Sequence, residues 1–370
     1  MKFSLPKSKL ASCLQSVFQV VPSKSTLPIL TNVLVEALEG KLKISATDLD
    51  ISITGSVECD VPKKGAAALP AKILFDIVRE LPETDVTIES TNSRVEVKIA
   101  NGSFKIASVS SEDFPRLPAV NTKKEIRLDA GDLCTMIKRT SFACSTDETR
   151  PALNGVLWQT KGDKMQMVAT DGHRLAKAAV ENKKLKGMSE DIIIPPKVLN
   201  LIQKFAEGSD EEIGIIFGEN NIIFNLGHTV LTSRLIEGPY PNFEQVIPQN
   251  NDKTLRVARE QLSGAVRRVS ILSNTLTHQV KFALKPGALT LSTSNADVGG
   301  EGVEAIDCDY AGDQVEIGYN SSYIADILSR IGSEDVVFEF STPVAAGLVH
   351  SADIPKDDFL CLIMPLRLAE

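Results

Sequence analysis

Three stretches of the chain carry one pattern of apolar and polar positions. Phe3 and Leu5, Ile126 and Leu128, and Leu255 and Val257 alternate as strand residues do, and five positions after each pair stands Leu10, Leu133 or Leu262. From these leucines the positions at +3, +4 and +7 are Cys13, Leu14 and Val17, then Met136, Ile137 and Thr140, then Ala265, Val266 and Val269. That is the period of one buried helical face, and only Thr140 breaks the apolar rule. The leucines are 123 and 129 residues apart, so the spacing predicts three similar domains in tandem.

Each third continues in the same order. Hairpins are expected over 33–37 with 42–45, 156–159 with 165–168, and 280–284 with 289–292, where apolar residues mostly alternate between turns. A second helix is expected from Pro70, from Pro195-Pro196 and from Asn320-Ser321-Ser322. Proline suits a helix start because its missing amide hydrogen is not needed there. Further strands follow, such as 95–99 and 222–226. Each third therefore reads as an α+β unit with two helices, and polar, proline-bearing segments place the boundaries at 1–120, 125–248 and 250–370.

Composition adds bounds. A hydrophobic content of 43% supports sizeable cores, and the amino terminus lacks the apolar stretch of a signal peptide. No run approaches a membrane span, so a soluble, cytoplasmic protein is expected. Six cysteines without a C-x-x-C pair are expected to be reduced structural thiols. The net charge of −8 argues, by itself, against a nucleic-acid partner. Its distribution argues otherwise. The six helix windows hold twelve basic and six acidic residues, which leaves +6 on the helices and −14 on the remainder. If the helices share a surface, that surface can attract a polyanion while the rest repels one.

Thr170-Asp171-Gly172-His173-Arg174-Leu175-Ala176, Leu153-Asn154-Gly155, the segment 238–246 and the terminal Met364-Pro365-Leu366-Arg367-Leu368, set on the threefold repeat, closely resemble the family of bacterial DNA polymerase III beta subunits. These are the replicative sliding clamps. The resemblance spans essentially the whole chain. It implies a head-to-tail homodimer closed into a ring around duplex DNA, with helices lining the inside and antiparallel sheets forming the outside. It implies no catalysis, no cofactor and no metal. The partners it implies are sequence-independent duplex DNA, the polymerase III alpha subunit, the clamp loader with its delta subunit, and other polymerases and repair proteins that carry clamp-binding motifs.

By the same resemblance, client peptides dock in a pocket made by Leu153, Thr170, Gly172, His173, Arg174, Leu175, Pro241, Val246, Ile363, Met364, Pro365 and Leu366. Leu153, Leu175, Val246, Ile363 and Met364 supply its apolar surface, with Thr170, His173 and Arg174 at the rim. Gln245 stands where some members carry arginine, so no charged contact is implied there. Lys24, Lys72, Arg150 and Lys197 are the implied DNA contacts, the two helix-start lysines adding to the positive end of a helix dipole. Asp147 replaces a neutral amide of some members. Phe104, Ile271 and Leu272 are the implied dimer contacts, with Glu301 and Glu304 among the remaining acidic partners.

Two other classes compete. Asp48 and Asp50 could hold a metal in a nucleic-acid-processing enzyme, and the chain could be a peptide scaffold that never meets DNA. Against the first, the same place in the three copies holds Thr47-Asp48, Thr170-Asp171 and Ser294-Asn295, which favours a recurring polar turn.

Overall fold

The computed structural model describes the chain except residues 92, 119–124, 183–184, 186–189, 296–298 and 369–370. Among the described residues the α-helices are α1 (Lys7–Phe18), α2 (Ala71–Glu80), α3 (Ala130–Thr140), α4 (Pro196–Ala206), α5 (Arg259–Ser270) and α6 (Ser321–Leu328). Each follows a strand, in the order Lys2–Pro6, Gly65–Pro70, Ile126–Asp129, Asp191–Ile194, Lys253–Ala258 and Val315–Asn320, with only Pro195 intervening before α4.

The helical stripes are buried as the periodicity requires. Leu10, Leu14 and Val17 of α1, Leu133, Met136 and Ile137 of α3, and Leu262, Ala265, Val266 and Val269 of α5 all lie in the core. Thr140 is buried as well, because its hydroxyl donates to the Met136 carbonyl at 2.8 Å, one turn back, and brings no unsatisfied group inside.

The second helices start a little differently from expectation. Pro70 is the capping residue outside α2, and Pro196 is the first residue of α4. The α6 start is capped by a side chain, Asn320 accepting from the amides of Ser322 at 2.9 Å and Tyr323 at 3.3 Å. An Asn320→Ala variant is expected to lose about 1 kcal/mol in urea unfolding, and an unchanged midpoint would show that solvent replaces the cap at no cost.

All strand pairings are antiparallel, and the sheets fall into two compact units. Residues 1–131 with 201–235 form one, and residues 132–200 with 236–370 the other. The first unit holds a five-stranded sheet and an eight-stranded sheet. In the larger one, strand Ile51–Glu58 pairs with Thr229–Arg234, so the first and middle repeats share a single ladder. The second unit likewise has an eight-stranded sheet in which Arg174–Glu181 pairs with Phe359–Ile363, and a four-stranded sheet edged by Gly300–Asp307. Compactness follows these ladders rather than the repeat, since each pairing buries apolar surface from two successive copies. The expected junction at 120–125 lies mostly outside the described residues.

Candidate functional site

The turn after strand Lys164–Thr170 is held by its own side chains. Asp171 accepts the amides of His173 at 2.8 Å and Arg174 at 2.9 Å on one carboxylate oxygen. The Thr170 hydroxyl donates to the Arg174 carbonyl at 2.6 Å and accepts from the Gly172 amide at 3.1 Å. The same turn recurs in the first copy, where Asp48 accepts the amides of Asp50 at 3.2 Å and Ile51 at 2.8 Å. The Asp48 carboxylate is thus engaged in an Asx turn, as the repeat suggested. In the third copy the Asn295 side chain instead donates to the Ser273 carbonyl at 3.3 Å. The left-handed position of the turn holds Gly172 at φ 91° and Leu49 at φ 83°.

Arg174 is tied down on several sides. It is buried, with Nε donating to Asp171 at 3.1 Å, one terminal nitrogen to Asp326 of α6 at 2.5 Å, and the other to the Phe142 carbonyl at 2.9 Å. Its guanidinium also lies 4.4 Å from the Tyr323 ring centroid and 5.3 Å from that of Phe142. A planar fork with several donors suits this place, where an ammonium could not reach all three acceptors at once. Arg174 therefore bolts the turn to α6.

Strand parity explains the division. Arg174 pairs with Ile363 and Leu175 with Leu362, and directly paired residues share a sheet face. Ile363 accordingly points with Arg174 and Phe359 to the side where Arg139 of α3 lies 5.0 Å from the Phe359 ring centroid. Leu362, and not Ile363, shares the face of Leu175. On the opposite face Leu175, Leu362, Leu157, Val168, Leu348 and Leu360 form a continuous apolar floor. Phe243 packs into it from the segment after Pro241, while Ala152, Ile236, Tyr240, Ile247 and Ala346 are partly buried around it.

Leu153 is buried within the short 3-10 turn Pro151–Asn154. Pro241 and His173 are exposed, and Val246 is 57% exposed, a large apolar side chain turned to solvent. Met364 is exposed too, and its amide donates to the His173 carbonyl at 2.8 Å, which ties the chain's end to the turn. Pro365 is half-buried, and Leu366 leaves the floor to bridge Gly318, its amide 2.8 Å from that carbonyl. Tyr240, Ile247 and Leu348 were missed as floor or wall residues. Strand Gly347–Ser351 is buried at every position, so no alternation in the sequence marks which face Leu348 takes.

The four expected DNA contacts separate into two environments. Lys24 is exposed in the loop after α1, and Lys72 and Lys197 are exposed at the second positions of α2 and α4. Arg150 instead stands beside the turn: its Nε donates to Asp147 at 2.9 Å, and a Cβ added at Gly172 would meet its terminal nitrogen at 3.1 Å. Hydrogen bonds from Thr149 and Arg150 hold the Asp147 carboxyl below its ordinary range. The pair lines a polar cleft of about 280 Å³ with Asp171, His173, Arg174 and Tyr323. Across the observed helices, eleven basic residues stand against five acidic ones, again +6 within a chain of −8.

The expected dimer contacts lie on or beside two edge strands. Gly102–Ala107 edges the five-stranded sheet and exposes Phe104 and Lys105. Gly300–Asp307 alternates outward through Glu301, Val303, Ala305 and Asp307. Val303 is 70% and Ile271 79% exposed. Leu272 is half-buried against Gly302, where an added Cβ would lie 3.6 Å from its Cδ1. Glu304 is not a free partner: Arg268 of α5 donates to its two oxygens at 2.5 and 2.9 Å.

Burial pushes the Cys13, Cys144 and Cys361 thiols up to about 12, so they stay protonated at neutral pH. No group of three His, Cys, Asp or Glu side chains that could hold a metal occurs among the described residues. No helix among them is long and apolar enough to cross a membrane.

Comparison with known proteins matches the chain in three consecutive parts. The models for the N-terminal, central and C-terminal domains of the DNA polymerase III beta subunit match residues 1–118, 127–242 and 244–367. The beta sliding clamp of Pseudomonas aeruginosa is 33% identical, with both chains covered in full. That of Chlamydia pneumoniae is 35% identical over all of this chain and 99% of its own. A crystal structure of the DnaN sliding clamp from Pseudomonas aeruginosa bound to griselimycin superposes with a TM-score of 0.94 at 33% identity over the whole of both chains. With its three parts matched in order and relatives aligned from end to end, this chain belongs to the DNA polymerase III beta subunit family, the beta sliding clamps.

Proposed function

We propose that this chain, a non-catalytic polymerase processivity clamp by its family, works as three repeats of 1–120, 125–248 and 250–370 whose two copies close into a ring on duplex DNA in the cytoplasm. The observation that carries the reading is the split of charge, +6 on the helices within a chain of −8. Lysines such as Lys24, Lys72 and Lys197 meet phosphates, which carry no sequence information, so the ring is held without being fixed in place. Retention comes from closure and not from affinity.

Client polymerases, the clamp loader and repair proteins dock short apolar motifs on the floor of Leu175 and Leu362, between Tyr240 with Ile247 on one side and Met364 with His173 on the other. Arg150 belongs with this rim, since its charge is already paired with Asp147. Ring closure joins the Phe104 edge of one copy to the Val303 and Ile271 edge of the other, continuing the ladder across the joint.

The test is topological. Clamp loaded on circular duplex is expected to stay for many minutes and to be lost promptly when a single cut linearises the circle. Equal lifetimes on the two forms would exclude encirclement, while cleavage of the circle by the protein alone would return the enzyme reading.

A further inference from the structure

Each unit contains one ladder that joins two successive repeats, and the two ladders are built alike. The Arg234 amide donates to the Asp50 carbonyl at 2.8 Å, as the Met364 amide does to His173. The Thr47 hydroxyl donates to the Ile51 carbonyl at 3.0 Å, as Thr170 does to Arg174. Following the pairings outward from these turns places each floor residue of the client pocket opposite a counterpart. Leu157 pairs with Val168 and Ile193, as Leu34 pairs with Ser45 and Ala68. Thr170 pairs with Leu175, Leu175 with Leu362, and Leu362 with Leu348. Thr47, Ser52, Thr232 and Ile223 form the matching series.

The scaffold is the same and the floor is not. Val168, Leu175 and Leu362 become Ser45, Ser52 and Thr232, all no more than 9% exposed. Ser45 and Thr54 share a hydrogen bond of 2.9 Å, and Ser52 donates to Thr47 at 2.8 Å. The Ser45 and Ser52 hydroxyls are thus satisfied within the sheet, so the fold carries them at little cost.

We infer that Ser45, Ser52 and Thr232 close a second, structurally equivalent client site to apolar anchors, and so set client occupancy at one peptide per chain. An aliphatic or aromatic anchor binds by removing apolar surface from water on both sides of the contact. Over Leu175 and Leu362 both sides are apolar. Over Ser52 and Thr232 the anchor would cover hydroxyls and bring little apolar floor out of water, and the affinity falls accordingly. The inference rests on the floor around Leu175 being the client site.

The experiment counts peptides. The probe is a labelled hexapeptide with two leucines and one phenylalanine, titrated calorimetrically into the whole protein. The wild-type chain is expected to bind one. A Ser45→Val, Ser52→Leu, Thr232→Leu variant is expected to bind two, the new site within about 10-fold of the first. No binding to the wild type would refute the pocket itself. A folded variant that still binds one overturns the inference while leaving the pocket intact. Should the triple variant not fold, Val168→Ser with Leu362→Thr writes the hydroxyl floor into the client pocket. About 100-fold weaker binding is then expected, and an affinity within about threefold of wild type overturns the inference.

Discussion

An Ile271→Asp variant is expected to sediment as a monomer at concentrations where the wild type is a dimer, and to slip from circular DNA as fast as from linear. The size of the effect follows from where Ile271 stands. At 79% exposed it contributes almost nothing to the core of its own chain, so the substitution leaves urea unfolding of the monomer nearly unchanged. In the proposed ring the same position is buried against the Phe104 edge of the second copy. A carboxylate left there without a partner costs about 3 kcal/mol, or about 100-fold in the dimer dissociation constant. The nearby basic residue of its own chain, Arg268, is already engaged by Glu304 and offers no easy rescue. A variant that remains dimeric would remove Ile271, and with it the proposed joint, from the closure of the ring.

Such exposed apolar side chains show which parts of the architecture can be read from a sequence. Helical stripes are local: Leu10 with Leu14 and Val17 lie within two turns, and their period survives in any one copy. Even the exception at Thr140 has a local cause, its bond to Met136. The Asx turns at Asp48 and Asp171 are likewise written in consecutive residues. The ladders are not local. Ile51 meets Ser233, and Arg174 meets Ile363, across most of a repeat or more, and no periodicity announces such a pairing.

The misplacement of Ile363 has the same origin. Strand Phe359–Ile363 is buried at all five positions because helices cover one face and the segment around Phe243 the other. A strand without alternation gives no parity, so choosing Leu362 over Ile363 for the Leu175 face needs the register with Leu175. Arg174 misled for a different reason. An arginine in a turn next to a candidate pocket looks like a rim group, and only the positions of Asp326, Phe142 and Tyr323 reveal that its charge is spent inside. The repeat, by contrast, is more informative in three dimensions than in one. Its copies diverge where function differs, with hydroxyls replacing the floor in the first unit and an outward Val303 edging the last copy.

Arg174→Ala is expected to weaken client peptide binding by about 10-fold although the guanidinium faces away from the floor. Removing the side chain leaves the Asp171 and Asp326 carboxylates without the cation between them and strips the Phe142 carbonyl of its donor. Breaking a buried ionic network in this way typically costs about 3–5 kcal/mol, the smaller figure applying here because Asp326 is half-exposed and can rehydrate. The turn itself keeps its two backbone bonds to Asp171, so the strand partner survives and the chain folds. What is lost is the tie to α6, and with it the fixed position of the His173 carbonyl that holds Met364 at the groove's edge. Arg174→Lys should recover part of the stability and little of the binding, because one ammonium cannot serve three acceptors on different elements. Urea unfolding and peptide titration on the same two variants separate the outcomes. Full stability with weakened binding would place Arg174 in direct contact with the client, whereas lost stability with unchanged binding would confine it to the fold.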